Sequence, residues 1–181
     1  MRVTTSAIPD VLLIEPKVFS DDRGEFFESY SQERFDHATG GTRRFVQDNH
    51  SVSARHVLRG LHYQIAQPQA KLVRAVAGEI FDVCVDLRRR SKTFGRWVGT
   101  TLSGANRRQV WIPEGFAHGF LVLSEQAEVI YKTTDYYAPE AERTVRWDDP
   151  ALGIAWPTTA PVILSPKDAD GRWLADADLF P

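Results

Sequence analysis

Polar and ionisable side chains are concentrated in three stretches of the sequence: Phe19–Glu28, Gln47–Lys71 and Ile112–Tyr137. A barrel that served only as a scaffold would not need so many such groups in these places. The histidines among them can exchange protons near neutral pH, and the arginines and lysines can hold an anion. We therefore expect the ligand site to be built from these stretches.

His62 lies in Val57–Gln64, a segment that suits a β-strand. Strict alternation of side chains along a strand would place His62 and Arg59 on opposite faces. If both line one site, Gly60 must relieve the alternation through a bulge or a bend. A single histidine on a strand is usually structural, so its position alone does not make His62 catalytic.

A second histidine, His118, ends a Pro-x-Gly-x-x-His pattern within Ile112–Phe120 that is similar to the second half of the cupin signature. Many cupins use this histidine as a metal ligand. The first half of the signature supplies His-x-His and a later Glu, whereas His62 is followed by Tyr63 and Gln64. A set of three or four ligands is incomplete, so we expect no metal. A metal-dependent cupin oxygenase or isomerase is the alternative.

The elements that must position these residues are mostly short strands. Turn residues bound candidate strands at Val57–Gln64, Leu72–Val76, Glu79–Leu87, Gly95–Leu102, Arg108–Ile112, Phe120–Leu123 and Ala127–Thr133. This pattern predicts a β-sandwich or barrel. Helical periodicity is scarce, and the best case is Ser29–Asp36, where Ser29 and Gln32 could form a capping box ahead of Phe35.

Alternation in the strand from 79 to 87 places Asp82 and Asp86 on the face opposite Phe81, Val83 and Val85. The face with the aspartates could lie outside or line a wet interior pocket, and the sequence leaves both open.

Length and composition indicate one domain, residues 1–181, with 43% hydrophobic residues. A formal net charge of −2 gives no reason to expect nucleic acid or a membrane surface as a partner. Cys84 is the only cysteine, and no apolar run reaches the ~18 residues of a membrane span. We expect a cytoplasmic protein.

Nine strings of residues carry a family resemblance along nearly the whole chain. They are Phe19–Glu28, Gln47–Ser53, Val57–Gln64, Lys71–Arg74, Asp82–Arg88, Ile112–Phe120, Tyr131–Lys132, Trp147–Pro150 and Leu164–Asp168. In this order and at this spacing, the sequence closely resembles the dTDP-4-dehydrorhamnose 3,5-epimerase family. The resemblance implies an all-β fold: a cupin-type double-stranded β-helix (jelly-roll) barrel with extra strands and a few short helices.

The resemblance also implies a cofactor-free isomerase that acts on the nucleotide sugar dTDP-4-keto-6-deoxyglucose, and a homodimer that shares active-site residues. His62 matches the general base, Asp168 its orienting partner and Tyr131 the general acid. Lys71 matches a position near the C4 oxygen.

Further matches imply contacts with the substrate. These residues are Arg23, Glu28, Gln47, Asn49, Arg59, His118, Tyr137, Glu142 and Lys167, and the family takes some Arg23 and Glu28 contacts from the neighbouring subunit. Ordinary surface ion pairs are the alternative for Arg23, Glu28 and Glu142, and a plain edge-strand aromatic is the alternative for Tyr137. Asp82 and Asp86 could also face the pocket, where Asp82 could support His62 and Lys71.

This chemistry explains why such groups are needed. A C4 ketone acidifies the hydrogens on C3 and C5, yet a positioned base such as a neutral histidine is still required. Proton removal puts negative charge on the C4 oxygen, which a cation such as Lys71 stabilises. Inversion then needs a donor on the opposite face of the ring, a task for Tyr131.

Three other functions remain open from the sequence. A mono-epimerase could invert C3 or C5 alone with the same base and acid. A keto-isomerase on this fold is a second rival, although it should lack the Leu-Arg-Gly-Leu-His-Tyr-Gln string at 58–64. A catalytically silent cupin that only binds a nucleotide sugar is the third.

Overall fold

The structure is a computed structural model that describes residues 1–41 and 43–181. Its strands are β1 (Arg2–Thr5), β2 (Leu12–Glu15), β3 (Val18–Asp21), β4 (Gly24–Phe27), β5 (Gln47–Ala54), β6 (Leu58–Gln64), β7 (Lys71–Ala77), β8 (Glu79–Asp86), β9 (Trp97–Ser103), β10 (Gln109–Ile112), β11 (Phe116–Val122), β12 (Gln126–Thr133) and β13 (Glu142–Thr144). The helices are α1 (Gln32–Thr39) and α2 (Pro166–Ala169), with short 3-10 turns at Pro139–Ala141 and Leu174–Asp176.

Strands β5 to β12 form a jelly roll. One sheet contains the order β5-β12-β7-β10 and the other the order β6-β11-β8-β9, with antiparallel pairing throughout. The chain passes repeatedly between the two sheets, which is the connectivity of a cupin-type barrel. Strands β1 and β2 extend the first sheet, β13 extends the second, and β3 and β4 form a separate hairpin. The predicted fold class is confirmed.

Two apolar layers hold this barrel together. The layer between the sheets includes Val73, Ile80, Val110, Phe120 and Val129, all nearly inaccessible to solvent. A second layer covers the outer face of the β6-β11-β8-β9 sheet, where the C-terminal segment packs its apolar side chains. Its members include Leu61, Val83, Val85, Leu152 and Trp156.

Strand β8 shows why the alternation at 79 to 87 was ambiguous. Val83 and Val85 face the outer apolar layer, whereas Cys84 belongs to the interior layer. Both faces are therefore buried, and Asp82 lies on the interior side with only 1% of its surface exposed. The interior alternative is the correct one for Asp82.

The strand predictions for β6 to β10 and β12 agree with the structure to within two residues at each end. The predicted strand Phe120–Leu123 is too short, because β11 begins at Phe116. Strands β1 to β5 and β13 were not predicted. The described residues include no helix long and apolar enough to cross a membrane.

The predicted capping box of α1 is wrong. The helix begins after Ser31, whose hydroxyl accepts a hydrogen bond from the backbone N–H of Arg34. Ser29 lies before the helix, and its carbonyl accepts instead from the side-chain amide of Gln109. Phe35 is buried as expected, packed against Trp111.

Candidate active site

A cavity of about 360 Å³ lies in the barrel, bounded mainly by β5, β6, β7, β11 and β12. Ten of the predicted site residues line it: Gln47, Asn49, Arg59, His62, Lys71, His118, Tyr131, Tyr137, Glu142 and Lys167. Its other lining residues are Ser51, Tyr63, Gln64, Gln69, Gly119 and Phe120. The structure therefore brings together most of what the sequence indicated, in one place.

A bulge at Gly60 allows Arg59 and His62 to line the same cavity. His118 pairs with His62 and Phe120 pairs with Arg59, so Gly60 and Leu61 together face Gly119 alone. Gly60 has a φ of +127°, and a Cβ there would lie 2.5 Å from the Gly119 Cα. Only glycine fits this position, and the predicted break in alternation is confirmed.

The catalytic candidate His62 is bonded to a buried carboxylate. Its Nε2 lies 2.5 Å from Oδ1 of Asp168, which the first turn of α2 holds at 3% exposure. Burial lowers the pKa of His62, and this outweighs the opposing effect of Asp168. Asp168 alone acts to raise the pKa of His62, but the net shift is downward. His62 is thereby kept neutral, as a base must be.

Burial raises the pKa of Asp168, but the hydrogen bond from His62, together with Ser165 and the charge of Lys167, outweighs this, so the pKa of Asp168 is lowered. The Ser165 side chain accepts from the Asp168 backbone N–H and caps α2. Because Asp168 stays ionised, it holds the His62 ring in one orientation and favours one tautomer.

A second histidine–carboxylate pair lies beside the first. Nε2 of His118 lies 2.7 Å from Oδ2 of Asp82, and both side chains are almost fully buried. We expected Asp82 to support His62 and Lys71: its direct hydrogen-bond partner is His118 rather than His62, while its charge acts to raise the pKa of Lys71. Asp86 does not line the pocket: it accepts hydrogen bonds from Arg88, Ser91 and Thr93.

Lys71 places a cation in the cavity next to the base. Its Nζ donates to the backbone carbonyl of His62 at 3.2 Å, and the residue is 8% exposed. Burial lowers the pKa of Lys71 to about 8, while Glu142 and Asp82 act in the opposite direction. The ammonium form therefore still predominates at neutral pH.

Tyr131 belongs to β12, opposite Asn49 of β5 and Val73 of β7. Burial raises its pKa, although the charge of Arg59 acts against this shift. The phenol therefore keeps its proton near neutral pH and can donate it to a carbanion.

Glu142 links two other residues that line the cavity, Tyr137 and Lys167. One carboxylate oxygen accepts from the Tyr137 hydroxyl at 2.9 Å and the other from Lys167 Nζ at 2.7 Å. Burial raises the pKa of Glu142, but the hydrogen bonds from Lys167 and Tyr137 outweigh it and hold that pKa below its usual value. The backbone N–H of Tyr137 donates to Gln47. Tyr137 is thus tied to both β5 and β13.

Three predicted site residues do not line this cavity: Asp168, which lies behind His62, and Arg23 and Glu28, which lie away from it. Arg23, in the turn between β3 and β4, forms an ion pair with Asp21, and its side chain is 89% exposed. Glu28 follows β4 and lies 3.5 Å from Arg34 of α1. Within one chain, the structure does not bring Arg23 or Glu28 to His62.

Sequence reasoning missed the role of Asp82 as the partner of His118 and the inward-facing Ser51. Alternation along β5 from Gln47 and Asn49 could have found Ser51, had the strand been recognised. In the part of the chain that the structure describes, no three His, Cys, Asp or Glu side chains are grouped as metal ligands.

Comparison with known proteins finds relatives that match this chain over nearly its whole length. The sequence model of the family described as dTDP-4-dehydrorhamnose 3,5-epimerase matches residues 5–176. A dTDP-4-dehydrorhamnose 3,5-epimerase from Pseudomonas aeruginosa is 64% identical over 181 residues, covering 100% of both chains. One from Salmonella typhimurium is 58% identical over 178 residues, covering 98% of this chain and 97% of the relative.

A solved structure from Legionella pneumophila has the same fold. It is described as dTDP-6-deoxy-D-glucose-3,5-epimerase in complex with dTDP-4-keto-L-rhamnose. The two structures superpose with a TM-score of 0.96 at 53% identity, covering 98% of this chain and 94% of that chain.

Proposed function

Because this chain belongs to the dTDP-4-dehydrorhamnose 3,5-epimerase family, it is an isomerase that inverts C3 and C5 of dTDP-4-dehydro-6-deoxyglucose, and we propose that His62 and Tyr131 are its proton-transfer pair. The reaction belongs to dTDP-rhamnose biosynthesis. The observation that carries the assignment of roles is the contact of His62 with Asp168 in a cavity that also contains Lys71 and Tyr131.

His62 is the general base. In neutral imidazole one ring nitrogen carries the proton. In His62 this is Nε2, whose N–H donates a hydrogen bond to the Asp168 carboxylate. Nδ1 is then the nitrogen with a free lone pair, and it takes the proton from the carbon next to the C4 ketone. Asp168 stabilises the imidazolium that forms.

The electrons left by that proton move onto the C4 oxygen and form an enolate. Lys71, as a buried ammonium ion, stabilises this negative charge more than it stabilises the neutral ketone. Tyr131 then donates its proton to the same carbon from the other face of the ring. Return of the proton from His62 to Tyr131 by way of solvent completes the cycle.

The remaining residues bind the nucleotide part of the substrate. We assign Gln47, Asn49, Tyr137, Glu142 and Lys167 to this task, with Tyr137 stacking on the base. Arg59 and His118 contact the sugar and the phosphates. The diphosphate favours Arg59, because a guanidinium is permanently charged and donates through several N–H groups.

Residues 1–181 act as one domain and pair into a homodimer, in which Arg23 and Glu28 complete the site of the partner. Two features support this: both residues lie outside the cavity of their own chain, and the β3-β4 hairpin beside them exposes Phe19 at 54% and Phe26 at 73%. We further propose a cytoplasmic location, in keeping with the buried free thiol of Cys84.

The roles are tested by incubating the protein with dTDP-4-keto-6-deoxyglucose in D2O and following C3 and C5 by NMR. Deuterium should enter at both carbons, and His62→Ala should abolish this exchange. Tyr131→Phe should still exchange protons on the face of the base but should lose inversion. Unchanged exchange in His62→Ala would refute the assignment of the base.

Sharing of sites is tested by mixing two impaired variants, His62→Ala and Arg23→Ala. In a mixed dimer, one site carries both changes and the other carries neither, so activity should rise on mixing. No rise after verified subunit exchange would show that each chain works alone.

A further inference from the structure

One hydroxyl in the cavity lacks a partner. Within residues 1–41 and 43–181, Ser51 Oγ is the single buried side-chain N or O atom of a non-exposed residue without a hydrogen bond. Ser51 lies in β5 opposite Val129 of β12, an apolar neighbour that offers no side-chain acceptor. A buried hydroxyl without a hydrogen bond costs free energy, so its presence in a ligand cavity indicates a bond that the ligand completes.

The other polar groups along the same strand are already engaged. Gln47 donates from its side-chain amide to Asn49 Oδ1 at 2.9 Å, and Ser53 Oγ accepts from Arg59 Nε at 2.9 Å. Ser51 lies between these two contacts. It is therefore placed between the Gln47 end of the cavity, where Tyr137 is attached, and the Arg59 end.

Arg59 indicates that the ligand group bound in this part of the cavity is an anion. Its Nε is fixed by Ser53, while its two terminal nitrogens form no hydrogen bond or ion pair with the described part of the chain. A guanidinium held in this way presents two donors in a fixed direction, which matches the oxygens of a phosphate.

We infer that Ser51 is a phosphate-binding residue, whose hydroxyl donates to a diphosphate oxygen of the nucleotide sugar that the Arg59 guanidinium also contacts. This rests on the proposed function only in taking the ligand to be a nucleoside diphosphate sugar. A neutral hydroxyl in the same cavity as an arginine adds directional selectivity for phosphate without adding charge.

The test is equilibrium binding of dTDP and of thymidine by calorimetry, for the wild-type protein and for Ser51→Ala. A hydrogen bond to a charged oxygen predicts that Ser51→Ala weakens dTDP binding by about 10-fold or more and leaves thymidine binding unchanged. Equal losses for both ligands, or no loss for dTDP, would overturn the inference. If Ser51→Ala binds dTDP normally but has a raised KM for the full substrate, Ser51 contacts the hexose instead.

Thermal unfolding of the free proteins gives a matched control. Ser51→Ala removes no hydrogen bond between protein groups and should not lower Tm, whereas Ser53→Ala loses the hydrogen bond to Arg59 and should lower Tm. A double-mutant cycle with Arg59→Gln then tests the shared phosphate: the effect of Ser51→Ala on dTDP binding should shrink when Arg59 is gone. Fully additive effects would contradict a common oxygen.

These measurements do not require turnover, so they are separate from the assignment of His62 and Tyr131. Loss of dTDP binding in Ser51→Ala with no exchange in the wild-type protein would support this inference and refute the catalytic proposal. Full deuterium exchange in the wild-type protein, with unaltered dTDP binding by Ser51→Ala, would support the catalytic proposal and refute this inference.

Discussion

His62 and His118 are direct partners on the antiparallel strands β6 and β11, and each ring is hydrogen-bonded to its own buried carboxylate. The two pairs differ in access to the cavity: the His62 side chain is 25% exposed, whereas that of His118 is 7% exposed. A base must reach the substrate and exchange protons with solvent, which suits His62. His118 is better placed as a rigid neighbour that binds.

The first prediction concerns the acid side of the pH profile. The base acts when neutral, so kcat/KM falls as pH drops through the pKa of His62. Because burial lowers this pKa below 6.5, the fall should occur below that value. Asp168 acts to raise the pKa of His62, so Asp168→Asn should move the fall to still lower pH and reduce the rate roughly 10²-fold near neutrality.

Initial rates of epimerisation between pH 4.5 and 8, in buffers of constant ionic strength, would measure both effects. A fall centred above pH 6.5 in the wild-type protein, or a shift to higher pH in Asp168→Asn, would contradict this account of His62.

The second prediction concerns the alkaline side. Lys71 stabilises the enolate as a cation, and burial lowers its pKa to about 8, so kcat/KM should decline above that pH. Burial raises the pKa of Tyr131, so loss of its proton should affect the rate only at higher pH. Lys71→Arg keeps its charge, so its activity, although reduced by the changed shape, should show no decline near pH 8.

Rates for the wild-type and Lys71→Arg proteins between pH 7 and 10 test this directly, with Lys71→Met as the variant that lacks a cation at every pH. A decline near pH 8 that persists in Lys71→Arg would show that another group titrates there.

The strands that surround the cavity differ in how far the sequence could predict them. Strands such as β7 and β12 were found because short runs rich in apolar residues are bounded there by turn residues. Strand β5 was missed because its inward positions carry Gln47, Asn49 and Ser51, so the cavity itself removes the apolar signal. The first half of β11 was missed because both of its faces are buried, which leaves no alternation to detect.

Contacts between distant parts of the chain are a harder case. Asp168 and His62 are 106 residues apart in sequence, and no local pattern connects them. Family resemblance supplied that pair. It did not supply the partner of Asp82, because the contact with His118 depends on the register between β8 and β11.

The third prediction concerns Asp82. Asn at this position can still accept the hydrogen bond from His118 Nε2, so the protein should fold, but the negative charge is lost. Since Asp82 acts to raise the pKa of Lys71, Asp82→Asn should move the alkaline decline of kcat/KM below pH 8. Substrate binding should also weaken, because the orientation of His118 is less firmly fixed.

Asp48→Asn is the matched control, because Asp48 is 62% exposed and pairs with Lys132 at the surface. Its pH profile should equal that of the wild-type protein. An unchanged alkaline decline in Asp82→Asn would show that Asp82 has no electrostatic effect on Lys71.

The fourth prediction compares two glycines with nearly the same backbone conformation. Gly24 and Gly60 have φ values of +121° and +127°, which side chains other than hydrogen rarely tolerate. A Cβ on Gly24 would meet nothing within 4 Å, whereas one on Gly60 would lie 2.5 Å from the Gly119 Cα and 2.8 Å from the His118 carbonyl oxygen. Gly24→Ala therefore isolates the conformational cost, about 1–3 kcal/mol.

Gly60→Ala should carry that cost and a further ~1–3 kcal/mol from the clash with β11. Urea unfolding followed by circular dichroism would measure the difference between the two variants. The clash also has a consequence for function, because the bulge at Gly60 is what allows Arg59 and His62 to face one cavity. At temperatures where Gly60→Ala is still folded, kcat/KM should therefore fall. Equal stability of the two variants would mean that β6 and β11 can separate without cost, and the bulge would then not be the device that positions His62.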